Sequence, residues 1–282
     1  MKNIAAVLVL SLTALAAGTS RAQSTEESYS ISEELMTSLK PHIGNGPVLP
    51  MPAAMSSTQT IWNKGNFGMK VYYDEKIRYR MLENRLHHVE GTGGFRKGQA
   101  GGSGTSLSLC GLLPLVSVSQ SSTTNKGFIS VVGIGIHTSS TVAFANRSRM
   151  IRLETTAPSL CGITPGQHFT YRVDAESTRR VEGDYIRDRT IEEVVNGPLV
   201  TCTARQDILP ASSIAPQLVG DYIPVECVTQ DAKNRPSSTH LAYLASYRFY
   251  LVMANKSKWQ RSEHAHVVEP AAPDSTSSPP PP

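Results

Sequence analysis

Several clusters in this chain have residue types that could do chemistry. Residues 91–104 are rich in Gly and carry Arg96 and Lys97 near their middle, which suggests a loop that closes on an anion. Neither phosphate-binding fingerprint is complete. Arg96 stands where the dinucleotide pattern begun by Gly91-x-Gly93 needs its third Gly, and Lys97 is followed by Gly98 rather than by Ser or Thr. Gly102-Ser103-Gly104 is not a nucleophile elbow, because Thr105 occupies the second glycine position. The expectation is a mobile surface loop, with Arg96 and Lys97 as a possible partner-binding pair for an envelope protein or an anionic glycan.

The titratable side chains give weaker patterns. His87 and His88 are adjacent, so a strand would point them in opposite directions. His264-x-His266 would share one strand face, but it stands near a polar C-terminal stretch. Neither pair has the spacing by which two imidazoles meet one zinc. Asp184 and Asp221 each follow Gly and precede Tyr-Ile. A carboxylate pair for glycoside chemistry would need them about 5–10 Å apart, and the competing reading is two turn acids at strand entries. Tyr243, Tyr247, Phe249 and Tyr250 concentrate aromatics that could form a carbohydrate platform or part of a core. Asn146-Arg147-Ser148 and Asn255-Lys256-Ser257 match the glycosylation acceptor pattern. No catalytic residue, cofactor or metal site is assigned.

Cys110, Cys161, Cys202 and Cys227 are even in number, and the closest two are 25 residues apart, too far for a zinc knuckle. Two disulfides are expected. Cys202 and Cys227 lie in strand-like runs joined by a turn-rich segment that could bring the second beside the first. Cys202–Cys227 is therefore one pair and Cys110–Cys161 follows by elimination, against two other connectivities.

The elements that must hold these residues are mostly short strands. Residues 30–33 read as a capping box opening a helix over 31–39 that ends at Pro41, followed by a Pro-rich linker. Residues 60–62 and 69–73 flank a hairpin turn at 63–66, and 76–88 fits either strand or helix. Strand-like runs follow at 106–110, 115–119, 128–136, 141–145, 150–155, 168–173, 199–204, 222–229 and 241–252, separated by Asn, Gly, Pro and Ser clusters. The expected fold is mainly β: an antiparallel β-sandwich or barrel-like domain with a short N-terminal helix and a disordered C-terminal tail.

Residues 1–22 have a basic start, an apolar run over 5–17 and Ser20-Arg21-Ala22, the pattern of a cleaved signal peptide with Gln23 as the mature N-terminus. The expected division is signal peptide 1–22, helix and linker 23–57, β-rich domain 58–255 and a polar Pro/Ser-rich tail 256–282. The whole chain carries +4, and Lys2 and Arg21 leave with the signal, so about +2 remains. That balance gives no reason to expect nucleic acid. No later stretch is long enough for a membrane helix. The expected function is an exported, non-catalytic protein of the cell envelope or extracellular space, periplasmic in a bacterium, that binds a partner or has a structural role. The alternative is a secreted hydrolase whose site is assembled from distant segments.

Overall fold

The computed structural model describes residues 31–269 except 45, 64–69, 97–99, 132–133, 185, 231–233 and 259, so the expected signal peptide and most of the expected tail lie outside the described residues. Helix α1 (Glu33–Ile43) is capped by Ser32, whose Oγ accepts the Leu35 N–H at 3.3 Å. The cap therefore sits two residues later than a Ser30–Glu33 box would place it. Glu33 and Glu34 in the first turn and Lys40 and His42 in the last suit the helix dipole. The helix continues past Pro41 to Ile43 and stops at Gly44, whose φ of 75° suits glycine. Its buried side chains, Leu35 and Leu39, are the four-apart pair visible in the sequence.

Apart from a short 3₁₀ turn at Ala211–Ser213, the remaining elements among the described residues are antiparallel strands: β1 (Ala54–Asn63), β2 (Lys70–Met81), β3 (His87–Phe95), β4 (Ala100–Leu109), β5 (Leu113–Val131), β6 (Ile134–Thr155), β7 (His168–Gly183), β8 (Ile186–Asn196), β9 (Val200–Ala204), β10 (Leu209–Pro210), β11 (Asp221–Gln230), β12 (Pro236–Leu244), β13 (Phe249–Lys256) and β14 (Gln260–Val268). Twelve of them form a barrel in the order β9-β11-β12-β13-β14-β1-β2-β3-β4-β5-β6-β7. The ring closes because five-residue β9 pairs with β11 on one side and with the first residues of β7 on the other. Farther along β7, its hairpin partner β8 takes the place of β9. Closure leaves no open edge around the ring at the level of β9, which is how a barrel avoids edge-to-edge association.

Both cysteine pairs stand at disulfide distance. Cys202 and Cys227 are direct cross-strand partners in the β9–β11 ladder, with Cα atoms 4.0 Å apart, so this bridge staples the seam. Cys110, in the β4–β5 turn, meets Cys161 in the β6–β7 connection at a Cα distance of 5.6 Å.

The apolar core has two clusters. The first joins Leu35 and Leu39 to Leu109, Leu160, Phe169, Val225 and the four cysteines. Within it the Tyr243 and Tyr250 hydroxyls donate to the Cys161 and Leu160 carbonyls at 2.7 and 2.8 Å. The second packs Met51, Met55, Tyr79, Leu244, Phe249 and Leu251 against Ala211, Ala215 and Leu218.

Four expectations are corrected. The Gly-rich segment is mostly hairpin rather than loop: β3 and β4 pair from His87↔Ser108 to Gly94↔Gly101, and the turn begins at Arg96. Met51 and Met55 are buried and β1 starts at Ala54, so the barrel begins inside the segment expected as linker. Residues 128–136 and 241–252 are not single strands, because the chain reverses between Val131 and Ile134 and between Leu244 and Phe249. Finally, β14 occupies part of the segment expected as tail.

Candidate functional site

Alternation along a strand sends one set of side chains into the barrel and the other to solvent. On β1, Met55, Ser57 and Ile61 are buried, and on β14, Ser262 and His266. On β2 the buried residues are Tyr73 and Tyr79, with Glu75 and Ile77 on the same face. Their neighbours Asp74, Lys76, Arg78 and Arg80 face outward, where Asp74 pairs with Arg96 and Lys76 with Glu269.

Register assembles the inward residues into rows. Ser57 stands opposite His266 on β14 and opposite Glu75 on β2. Gln59 likewise stands between His264 and Tyr73. The row through Glu75 continues to Gly93 and Gly102. Gly93 is there for space: a Cβ would fall 2.6 Å from the Tyr73 hydroxyl. Tyr73 also meets Phe95 edge to face, with ring centroids 5.2 Å apart.

This interior is polar and poorly solvated. The His264 and His266 rings stack at 6.2 Å. His266 Nε2 lies 2.8 Å from the Val252 carbonyl, which can only accept, so Nε2 carries the proton and Nδ1 is left as a buried acceptor with no partner. Ser57 Oγ and His264 Nε2 are also buried without a hydrogen-bond partner. Burial pushes Glu75 up to about 7. Burial, and secondarily the neighbouring His266, bring His264 down to about 4. Burial lowers His266 too, opposed by its bond to the Val252 carbonyl. Neutral forms are thus favoured throughout the row. Among the described residues, no three His, Cys, Asp or Glu stand close enough to hold a metal ion.

Other candidates do not converge. His87 is buried against Phe249, centroids 4.8 Å apart, and brought down to about 4 by burial, whereas His88 faces the other way beside Glu90. Asp184 caps the β7–β8 turn: its carboxylate accepts the Thr141 N–H at 2.9 Å. Asp221 opens β11, which continues away from it to the β9 seam, while Asp184 lies beyond the far end of β7 from that seam. The two acids are at opposite ends and form no glycosidase pair. Tyr243, Tyr247, Phe249 and Tyr250 are all buried, so they are core rather than a carbohydrate platform. Arg96 makes a two-pronged bond to Asp74 at 2.6 and 2.9 Å, and Lys97 lies outside the described residues. The inward histidines of β14 were the pair whose spacing already suggested one face. The missed partners, Ser57 and Glu75, gave no local signal, because only cross-strand register joins them to the histidines.

A second feature stands outside the ring. The ladder of β4 on β5 reaches Thr123, and that of β7 on β6 reaches Val142. Farther out, β5 and β6 pair only with each other among the described residues, over seven pairs from Asn125↔Ser140 to Val131↔Ile134. That is a two-stranded ribbon about 20 Å long.

Fold and interior together define a disulfide-stapled antiparallel β-barrel with a polar row in its interior and one long projecting hairpin. No protein-family model matches the chain, and no characterised protein or solved structure does.

Proposed function

We propose that this is an exported, non-catalytic β-barrel protein that attaches to a partner at the cell envelope or in the extracellular space, with the β5–β6 hairpin as its attachment element. The observation that supports this reading is the ribbon of seven residue pairs beyond both neighbouring strands. A two-stranded ribbon is marginally stable alone in water, so a contact is the natural explanation for its length. Two disulfides fit an oxidising compartment. No helix among the described residues is long and apolar enough to cross a membrane.

The test replaces residues 126–139 with an Asn-Gly turn and measures retention of the full mature chain on envelope fractions of the host. Loss of retention is expected. In a parallel arm, Arg96→Ala with Lys97→Ala is compared at low and high salt. Unchanged retention of the shortened variant overturns the hairpin assignment.

One observation favours a second reading, a hydrolase site in the barrel: Ser57, His266 and Glu75 share a row. It ranks second because Ser57 lies between the other two, whereas a triad needs the base between nucleophile and acid. Ser57 is also only 2% exposed. An esterase activity abolished by Ser57→Ala would establish it.

A further inference from the structure

We infer that β8 is a dimerisation edge: a second copy of this chain pairs with it antiparallel, across a two-fold axis at Ile191. This edge is separate from the β5–β6 hairpin and does not depend on the hairpin's role in attachment. The first support is the state of the strand. It ends the sheet, with β7 on one side and no strand on the other among the described residues. Every residue from Arg187 to Asn196 is exposed. Ile191, Val194 and Val195 are among them, at 38%, 60% and 36%. Such an edge presents a row of unpaired N–H and C=O groups, a template for another strand.

The second support is register, and it identifies the occupant. Identical chains mostly associate across two-fold axes, which bring the same patch of both copies together. Directly opposed residues of an antiparallel pair share a face of the sheet. The axis therefore passes at one residue, which then opposes its own copy, and never between two. That leaves one register for each residue of β8. Axes at Arg187, Asp188, Arg189, Glu192 and Glu193 each set a charge against itself. An axis at Thr190 sets Asp188 against Glu192 twice. Axes at Ile186, or from Val194 onward, pair only the ends of the strand. The axis at Ile191 alone pairs most of the strand with no like charges opposed. It sets Arg189 against Glu193 on both sides of an Ile191–Ile191 contact. Every other charged residue from Arg187 to Val195 then meets a neutral one: Arg187 meets Val195, Asp188 meets Val194 and Glu192 meets Thr190. A symmetric parallel pair would set each charge against its own copy. Like charges directly opposed destabilise a sheet, and opposite charges stabilise it. The charge on β8 thus rejects indiscriminate pairing and admits its own copy in one register, since repulsion of the alternatives is what makes an interface specific. Within the chain, Arg189 and Glu193 stand opposite Val181 and Ser177 on β7, so neither charge is answered by the residue opposed to it.

The experiment is sedimentation equilibrium of the full mature chain over a concentration series, in which the wild type is expected to dimerise. Arg189→Glu and Glu193→Arg should each raise the dissociation constant about tenfold or more, because each turns two opposite-charge pairs into two like-charge pairs. The two substitutions together restore opposite charges and should recover wild-type affinity. Ile191→Cys tests the axis directly. Opposed residues stand at disulfide distance, so mild oxidation should give a covalent dimer. Val194→Cys should not, because its two copies would be roughly 20 Å apart. Circular dichroism and the melting temperature identify a variant that misfolds, in which case the crosslinking result decides. A wild type that stays monomeric up to about 1 mM overturns the inference. So does a double charge swap that is no better than the single ones, or a crosslink at Val194→Cys in place of Ile191→Cys. A dimer that persists in the β8 variants but is lost when residues 126–139 are shortened places the contact at the ribbon: the inference fails, and the attachment reading is left to its own test.

Discussion

Glu75→Gln isolates the electrostatics of the barrel interior. Burial holds the Glu75 carboxyl at about 7, against 4.5 for a free glutamate. Between those values the unfolded chain is ionised while the folded one keeps its proton. The folded state binds more protons, so this group's contribution to stability falls as pH rises through the window. The shift corresponds to about 3 kcal/mol, an upper figure because Glu75 keeps some solvent contact. Glutamine has the same shape and no proton to lose. The variant should match wild type near pH 4.5 and exceed it at pH 8 by up to about 3 kcal/mol, or roughly 6–12 °C in melting temperature. His264 and His87, both brought down to about 4, act in the opposite direction. Their folded forms refuse a proton that the unfolded chain accepts below about 6.5, so their contribution is lost as pH falls. They are common to both proteins and cancel in the difference. Urea unfolding at pH 4.5, 6 and 8 provides the measurement. A difference between the two proteins that does not change with pH would refute the reasoning and place the carboxylate in contact with water.

Replacing Cys202 and Cys227 together by Ala should cost about 3.5 kcal/mol, from the loss of a 25-residue crosslink in the unfolded chain. Hydrogen exchange should then quicken first at Val200–Ala204, the strand that closes the ring. Gly93→Ala brings a methyl group within 2.6 Å of the Tyr73 hydroxyl and 2.8 Å of the Asp74 carbonyl. A loss of about 1–3 kcal/mol is expected by urea unfolding, as for other overpacked sites, and Gly93→Ala with Tyr73→Phe should recover part of it.

What could be read in the sequence was local. The alternation of Ile77 and Tyr79 with Arg78 and Arg80 fitted a strand, although residues 76–88 fitted a helix equally well, and both cysteine pairs followed from strand-like runs and elimination. Glycine misled at residues 91–104, where it usually signals a loop. Here Gly93 leaves room inside a barrel whose neighbouring strand supplies Tyr73. The last strand was hidden by the same interior. Ser262, His264 and His266 turn inward to a polar row, so β14 lacks the apolar alternation of a strand on a hydrophobic core. Closure was out of reach for another reason: it depends on five residues of β9 meeting two partners far away in sequence.

The point where β7 exchanges partners explains why one part of the sheet leaves the closed ring. His168–Tyr171 pair with β9 and belong to the closed ring, while β8 takes over from Asp174. Gly197 makes this exchange possible: its N–H donates to the Val173 carbonyl at 2.9 Å, and a Cβ there would overlap the same carbonyl. Past this point the sheet leaves the ring and ends in β8, whose outer side has no strand among the described residues. An edge of that kind invites association unless it is protected, and charge is a common protection. The β8 strand carries it in Arg187, Asp188, Arg189, Glu192 and Glu193. The ribbon formed by β5 and β6 ends in the same part of the sheet and carries only Lys126. One open edge carries charge and the other almost none, a contrast within a single sheet that supports the proposal of attachment through the ribbon.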